Sequence, residues 1–191
     1  MQKLNIKQEF PCSLEMLLRA REERYKRLDK FPELKNVEIL SEERDGSTLR
    51  QTRRISLEES LPAVLTPLLS KDAQAMNEVS EFDLEKNLHT FTITPGGGME
   101  HIFTIRGTSR YYALDDSRAA REYDLGIESK AFLVGVAVEI AIAGVYRQTL
   151  DKDQKSITGF VKMLAEESSS GESSSGESPS GESPSGETNE I

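Results

Sequence analysis

Residues 134–165 read VGVAVEIAIAGVYRQTLDKDQKSITGFVKMLA, and this stretch decides the fold. Val138, Ile142, Val145, Ile157, Val161 and Leu164 recur at helical spacing, so the segment predicts one long C-terminal helix with a single apolar face. Gly135, Gly144 and Gly159 weaken it locally, and the β-branched content leaves Ala131 to Ile142 open to a strand reading. An apolar face of this length needs a large partner surface, and the preceding chain supplies one in strands.

Lys3 to Phe10 alternates, with Leu4, Ile6, Gln8 and Phe10 on one side. Pro11-Cys12-Ser13 ends that strand, and Ser13 is a good N-cap for a helical segment from Leu14 to Leu28, with a hinge near Arg21. Val37 to Glu43 and Thr48 to Leu57 flank Asp45-Gly46, a strong hairpin signal. Met76 to Glu85 pairs with Leu88 to Thr94 through Lys86-Asn87. Pro95-Gly96-Gly97-Gly98 then turns the chain into His101 to Leu114, and a turn at Asp115-Asp116-Ser117 leads into Arg121 to Lys130. Strand, short helices, six strands in hairpins and a long helix make an α+β architecture: a curved antiparallel sheet wrapped around a long C-terminal helix. With no Trp and seven Phe, the space between sheet and helix is a candidate cavity.

Charge divides the chain differently from hydropathy. The net charge is −9, but seven of the 33 acids lie after Ala165 with no base among them, which leaves the preceding body nearly neutral. The expected division is a ligand-binding domain over 1–165 and a disordered acidic tail over 166–191. That tail repeats a five-residue unit, Ser168-Ser-Ser-Gly-Glu172 through Ser183-Pro-Ser-Gly-Glu187, without an apolar side chain to offset the cost of ordering. One cysteine, Cys12, excludes an internal disulfide and a cysteine-based zinc site and fits a reducing compartment. The N-terminus lacks the apolar stretch of a signal peptide, and the apolar run from Ala131 to Val145 falls short of the roughly 20 residues that span a bilayer. The expected location is cytoplasmic. No basic excess supports a nucleic-acid partner.

Catalytic motifs are missing: no G-x-S-x-G, no H-E-x-x-H, and no P-loop lysine after the glycine triplet, which reads as a turn needing positive φ. No cofactor and no metal site are expected. If the hairpin turns about Gly97, His89 and His101 share the inner face with Phe91, Ile93, Phe103 and Ile105. They are then an acid/base pair, a polar anchor, or histidines at the edge of the core or capped by solvent. Arg53 interrupts an apolar row with Gln51, and Glu78 lies on the same side of the next strand. A buried arginine needs a partner, so the pair either fixes strand register or leaves Arg53 to receive an anionic head group. Leu61-Pro62-Ala63-Val64-Leu65-Thr66-Pro67-Leu68-Leu69 is a segment packed over the open end of the core, or a lid whose leucines touch a membrane transiently as ligand passes. Apolar parity aims Phe91, Phe103 and Tyr123 at Ile142 and Tyr146 of the helix.

The element order, the opening Phe10-Pro11-Cys12-Ser13 and the final strand passing into a helix are similar to the helix-grip, START-like superfamily of hydrophobic-ligand binders. Leu61-Pro62-Ala63-Val64-Leu65, Glu78-Val79-Ser80-Glu81-Phe82-Asp83, and Leu133-Val134-Gly135 with Glu139 resemble an uncharacterised bacterial START-like branch. A more distant likeness is to PRELI lipid-transfer domains, from which this chain departs by lacking their aromatics near the Leu-Pro and in the following strand. The resemblance covers residues 2 to 165. It implies binding or transfer of a hydrophobic small molecule, such as a lipid, with Arg53, Leu61, Leu65, Leu68, Phe91, Phe103, Tyr123, Ile142 and Tyr146 as ligand-binding candidates. The superfamily also hosts cyclases and hydrolases, which on this chain would use His89, His101 or Glu78. A non-catalytic interaction domain with a filled core is the third reading.

The repeat has no apolar anchor, so deleting residues 166–191 is expected to leave the thermal midpoint within a few degrees. A drop beyond about 5 °C, roughly 1–2 kcal/mol for a domain of this size, would show docking. Differential scanning calorimetry of both chains decides it.

Overall fold

The computed structural model describes residues 1–31, 34, 36–56, 62–69 and 75–171, with side chains to Glu167. Among these residues, alternation and turn chemistry produce seven strands: β1 (Gln2–Phe10), β2 (Val37–Asp45), β3 (Thr48–Ser56), β4 (Ala75–Asp83), β5 (Leu88–Pro95), β6 (Thr104–Asp115) and β7 (Arg118–Glu128). They form one antiparallel sheet in the order β1-β7-β6-β5-β4-β3-β2. Each neighbour from β2 to β7 is its sequence neighbour, and β1 returns to close on β7, from Gln2 opposite Ile127 to Phe10 opposite Ala119. The expected α+β helix-grip architecture is the observed one.

Helix α1 (Leu14–Glu23) starts where the sequence places it, with Ser13 Oγ accepting from Met16 N at 3.2 Å. The helical segment expected to reach Leu28 tightens instead into a 3-10 turn over Arg24–Lys26. Helix α2 (Gly135–Gly171) packs on β1, β7 and α1. It runs through its glycines unbroken because Val138, Ile142, Leu150, Ile157, Phe160 and Leu164 bury one continuous face. The strand reading of Ala131 to Ile142 is thereby replaced by helix from Gly135. The boundary drawn after Ala165 falls inside α2, whose Glu167 accepts from Arg27 Nη1 at 3.1 Å. From residue 172 onward the repeat lies outside the described residues.

The turn after β5 differs from the expected tight hairpin. Gly97 and Gly98 take the positive φ values (65° and 75°) that the glycine triplet predicts, but β6 starts only at Thr104. Ile102 and Phe103 dive into the core from the loop while His101 stays in a turn and is exposed. Register puts Ile93 opposite Ile105 and His89 opposite Ser109. Gly107 has no space for a side chain: a Cβ there would stand 2.4 Å from Leu125 Cβ, so glycine permits β6 and β7 their close approach.

The core divides in two. One apolar cluster gathers Leu4, Leu65, Phe91, Phe103, Leu125 and Val138, and the other gathers Phe10, Leu17, Phe82, Tyr111, Ile157 and Phe160. Between them the inner face of nearly every strand turns polar, through Gln8, Arg121, Ser109, His89, Glu78 and Arg53, and α2 adds Asp153. Among the described residues no helix is long and apolar enough to cross a membrane. Phe132, Leu133, Val136 and Ile140 nevertheless stand 60–89% exposed around the start of α2. The acid within that run, Glu139, turns inward to the N-terminal amine at 2.9 Å and the Ser129 N–H at 3.1 Å.

Leu65 is fully buried in the first cluster, with Leu69 beside it and Val64 and Leu68 packed against them. The Leu-Pro segment, from Pro62 to Leu69, is therefore part of the core in this state. Leu65→Ala is expected to cost about 2–5 kcal/mol in chemical denaturation, the range for a permanently buried leucine. A cost below 1 kcal/mol would mark the segment as detachable.

Candidate functional site

The polar belt borders a partly open cavity of about 370 Å³, within the range of small-molecule sites. Its floor is sheet, with Arg53, Glu78, His89, Phe91, Arg121 and Tyr123 from four strands. One wall is α2, with Val145, Tyr146, Thr149 and Asp153, and the other is α1 and the turn after it, with Arg21, Arg24 and Tyr25. Strand alternation places the floor residues, since each lies an even number of positions from a core neighbour such as Leu49, Phe82 or Leu125.

Asp153 anchors the helix side. Its Oδ2 accepts from Arg121 Nη2 at 2.7 Å, and its Oδ1 accepts from Arg24 Nη2. Burial opposes a charge on Asp153, but Arg121 and then Arg24 outweigh it, so the carboxyl titrates below the usual range. Gln8 completes the joint: its Oε1 accepts two bonds from Arg121, at 3.1 and 2.6 Å, and its Nε2 donates to the Leu150 carbonyl at 2.8 Å. The guanidinium of Arg121 lies 4.9 Å from the Tyr123 ring centre.

The other arginines are less well matched. Arg53 and Glu78 share a face, as their strand parity predicts, and stand opposite each other in register, yet Nη1 and Oε1 are 3.9 Å apart. That is an ion pair without a hydrogen bond. Arg53 donates instead to Gln51 and lies 5.2 Å from the Tyr25 ring centre. Arg21 is 4.2 Å above the Phe82 ring, and the carboxylate within 4 Å of it is the exposed Glu22, at 3.9 Å. Buried polar atoms of this group stay without a hydrogen-bond partner among the described residues: Arg24 Nε, Arg53 Nε, Glu78 Oε1, His89 Nε2 and Ser156 Oγ. His89 sits beside the rings of Phe91 and Phe82, 5.4 and 6.0 Å between centres. Burial, then Arg21, Arg53 and Arg121, hold it well below the ordinary imidazole value, so it is neutral at pH 7.

Of the sequence candidates, Arg53, Phe91, Tyr123 and Tyr146 line the cavity, with Phe91 and Tyr146 rings stacked 6.4 Å apart. Phe103, Ile142 and Leu65 are buried in the first apolar cluster and do not line it; Leu68 packs partly buried against that cluster. Leu61 lies outside the described residues. His101 is on an exposed turn, so the pairing of two inner-face histidines does not form. Sequence reasoning missed Arg21, Arg24, Arg121 and Asp153. The signal that marks them is the interruption of apolar rows, at Arg121 before Tyr123 and at Asp153 between Leu150 and Ile157, the same signal that singles out Arg53. Among the described residues no group of three His, Cys, Asp or Glu side chains gathers to hold a metal.

A family model described as "Protein of unknown function (DUF2505)" matches residues 5–161. No curated protein matches the chain in sequence. Solved structures share the fold at low identity. The Zhui aromatase/cyclase from Streptomyces sp. R1128 is 12% identical, with a TM-score of 0.57 over 84% of this chain and 93% of that one. Norcoclaurine synthase from Thalictrum flavum is 14% identical, with a TM-score of 0.57 over 84% and 86%. A START superfamily protein from Mycobacterium smegmatis is 19% identical, with a TM-score of 0.52 over 85% and 98%.

His89 gives the site a pH signature. In the unfolded chain it takes a proton near pH 6.5, whereas folded it resists one until well below that. Between the two values the unfolded state binds more protons, so stability falls as the pH drops below about 6.5. From pH 7 to pH 5 the wild type is expected to lose up to about 2 kcal/mol more than His89→Leu. Urea titrations across that range measure it, and parallel slopes would show that folded His89 protonates freely.

Proposed function

Because the chain belongs to the family described as protein of unknown function DUF2505, with the helix-grip architecture built around a cavity, we propose that it binds a hydrophobic small molecule between the sheet and α2. The observation that carries this reading is the cavity itself: about 370 Å³ left open between two otherwise packed apolar clusters, with Phe91, Tyr123 and Tyr146 presenting rings to it. Rings and aliphatic walls supply burial free energy for an apolar ligand, and the few polar groups fix its orientation. The volume suits a single-chain or ring compound. Binding belongs to the sheet and its two helices, and the Ser/Gly/Glu repeat is an appendage to that unit. Carriage, rather than catalysis, is the reading we favour, since the buried imidazole of His89 is neutral and, among the described residues, has no second acid/base group hydrogen-bonded to it.

The test fills the cavity. Val145 lines it on α2, and the chain has no native tryptophan, so Val145→Trp both blocks the space and reports on it. The wild type, analysed by native mass spectrometry after purification from its host, is expected to carry a low-mass apolar adduct that the variant lacks. Equal adducts on both proteins, with both folded by circular dichroism, would place the ligand elsewhere.

A further inference from the structure

Four guanidinium groups line one cavity in a chain whose net charge is −9, so the accumulation is local and does not reflect a basic protein. Two carboxylates line it with them, Glu78 and Asp153. Both oxygens of Asp153 are taken, one by Arg24 and one by Arg121. Glu78 stops 3.9 Å short of Arg53, and among the described residues the carboxylate that Arg21 meets is that of the exposed Glu22, at 3.9 Å. Arg21 and Arg53 are therefore two mostly buried cations with no anion in hydrogen-bonding contact among the described residues. A buried charge left so is costly until something neutralises it.

This inference rests on the cavity being the ligand site. We propose that the molecule held there carries a carboxylate, or an anionic group of similar size, seated between Arg21 and Arg53, while its apolar part lies against Phe91, Tyr123 and Tyr146. Guanidinium forks match the two oxygens of a carboxylate, and removal from water strengthens the pairing. Among the described residues the buried Arg53 Nε and His89 Nε2 have no hydrogen-bond partner, so a small side-chain shift would present both to such a group. A neutral imidazole adds a hydrogen bond there without adding a third charge. The stacked and tilted rings next to His89 and Arg53 continue the surface into its apolar part. The ligand class is thus an acidic amphiphile, not a neutral one.

Isothermal titration calorimetry at pH 7.5 with the full chain tests this with decanoate and 1-decanol, which share a chain length and differ in charge. Acetate and inorganic phosphate serve as anions without a tail. Decanoate is expected to bind at least tenfold more tightly than decanol, and acetate and phosphate to show no binding at millimolar concentration. Arg21→Gln and Arg53→Gln are each expected to collapse the decanoate-to-decanol ratio about tenfold. Arg53→Lys, which keeps the charge and loses the fork, is expected to fall between. If Arg53→Gln, by stranding Glu78, fails to fold, Arg21→Gln carries the test, because it leaves no buried carboxylate unpaired. Equal affinity for decanoate and decanol, both abolished by Val145→Trp, would overturn the anionic head group and leave the hydrophobic-ligand reading standing. No binding of either would overturn both. Phosphate or acetate binding as tightly as decanoate would make this a site for a free anion and overturn the amphiphile.

Discussion

Asp153 holds the molecule together at its centre. Its carboxylate joins Arg24, in the turn after α1, to Arg121 on β7, and Arg121 in turn grips Gln8 on β1. Four elements far apart in sequence thus meet through one half-buried anion, and Gln8 returns the link to the helix at the Leu150 carbonyl. Such a network is not a large net source of stability, because desolvating its charges offsets most of their attraction. Its effect is positional. Removing one member leaves another charge buried and unpaired, which costs several kcal/mol, so the helix can seat on the sheet in only one register.

The same joint accounts for the divided core. Arg121 and Asp153 occupy positions that an aliphatic side chain would fill in an uninterrupted sandwich of sheet and helix. With polar groups there, the apolar residues segregate above and below, Phe91 and Leu125 to one side and Phe82 and Ile157 to the other. Charged side chains of fixed geometry do not fill the remaining space at the density of interlocking hydrocarbon. The cavity, the belt and the anchored helix are therefore one feature. A ligand completing that space would contact strand floor, helix wall and the turn after α1 together, so its binding would be felt across most of the fold.

Much of this arrangement was legible in the residues. The period of two in β1 and β3 to β5, the Asp45-Gly46 turn and the 3.6-residue stripe on α2 are local signals, because side-chain direction follows backbone geometry alone. Parity puts Arg53 and Glu78 on the same side of adjacent strands, and the strand register sets them opposite each other. Where the sequence reading erred, non-local packing decided. The loop after β5 admits Ile102 and Phe103 to the core and so delays β6 to Thr104, which carries His101 out to solvent. Leu65, bounded by two prolines in a segment with no period, reads either as packed over the open end of the core or as part of a lid, and packing buries it in the first cluster.

What the sequence by itself determined is the set of strands, the long helix and the face each presents, since these depend on spacings of a few residues. Only the tertiary structure decided that Arg21 and Arg24, on one short helical segment, come to the same cavity as Arg53 and Arg121. In isolation Arg21 reads as one more charge in the run from Arg19 to Arg27. Which of those side chains turns inward depends on where α1 lies against α2 and the sheet, and that placement is set by contacts more than a hundred residues apart, between Arg24 and Asp153 and between Gln8 and Arg121.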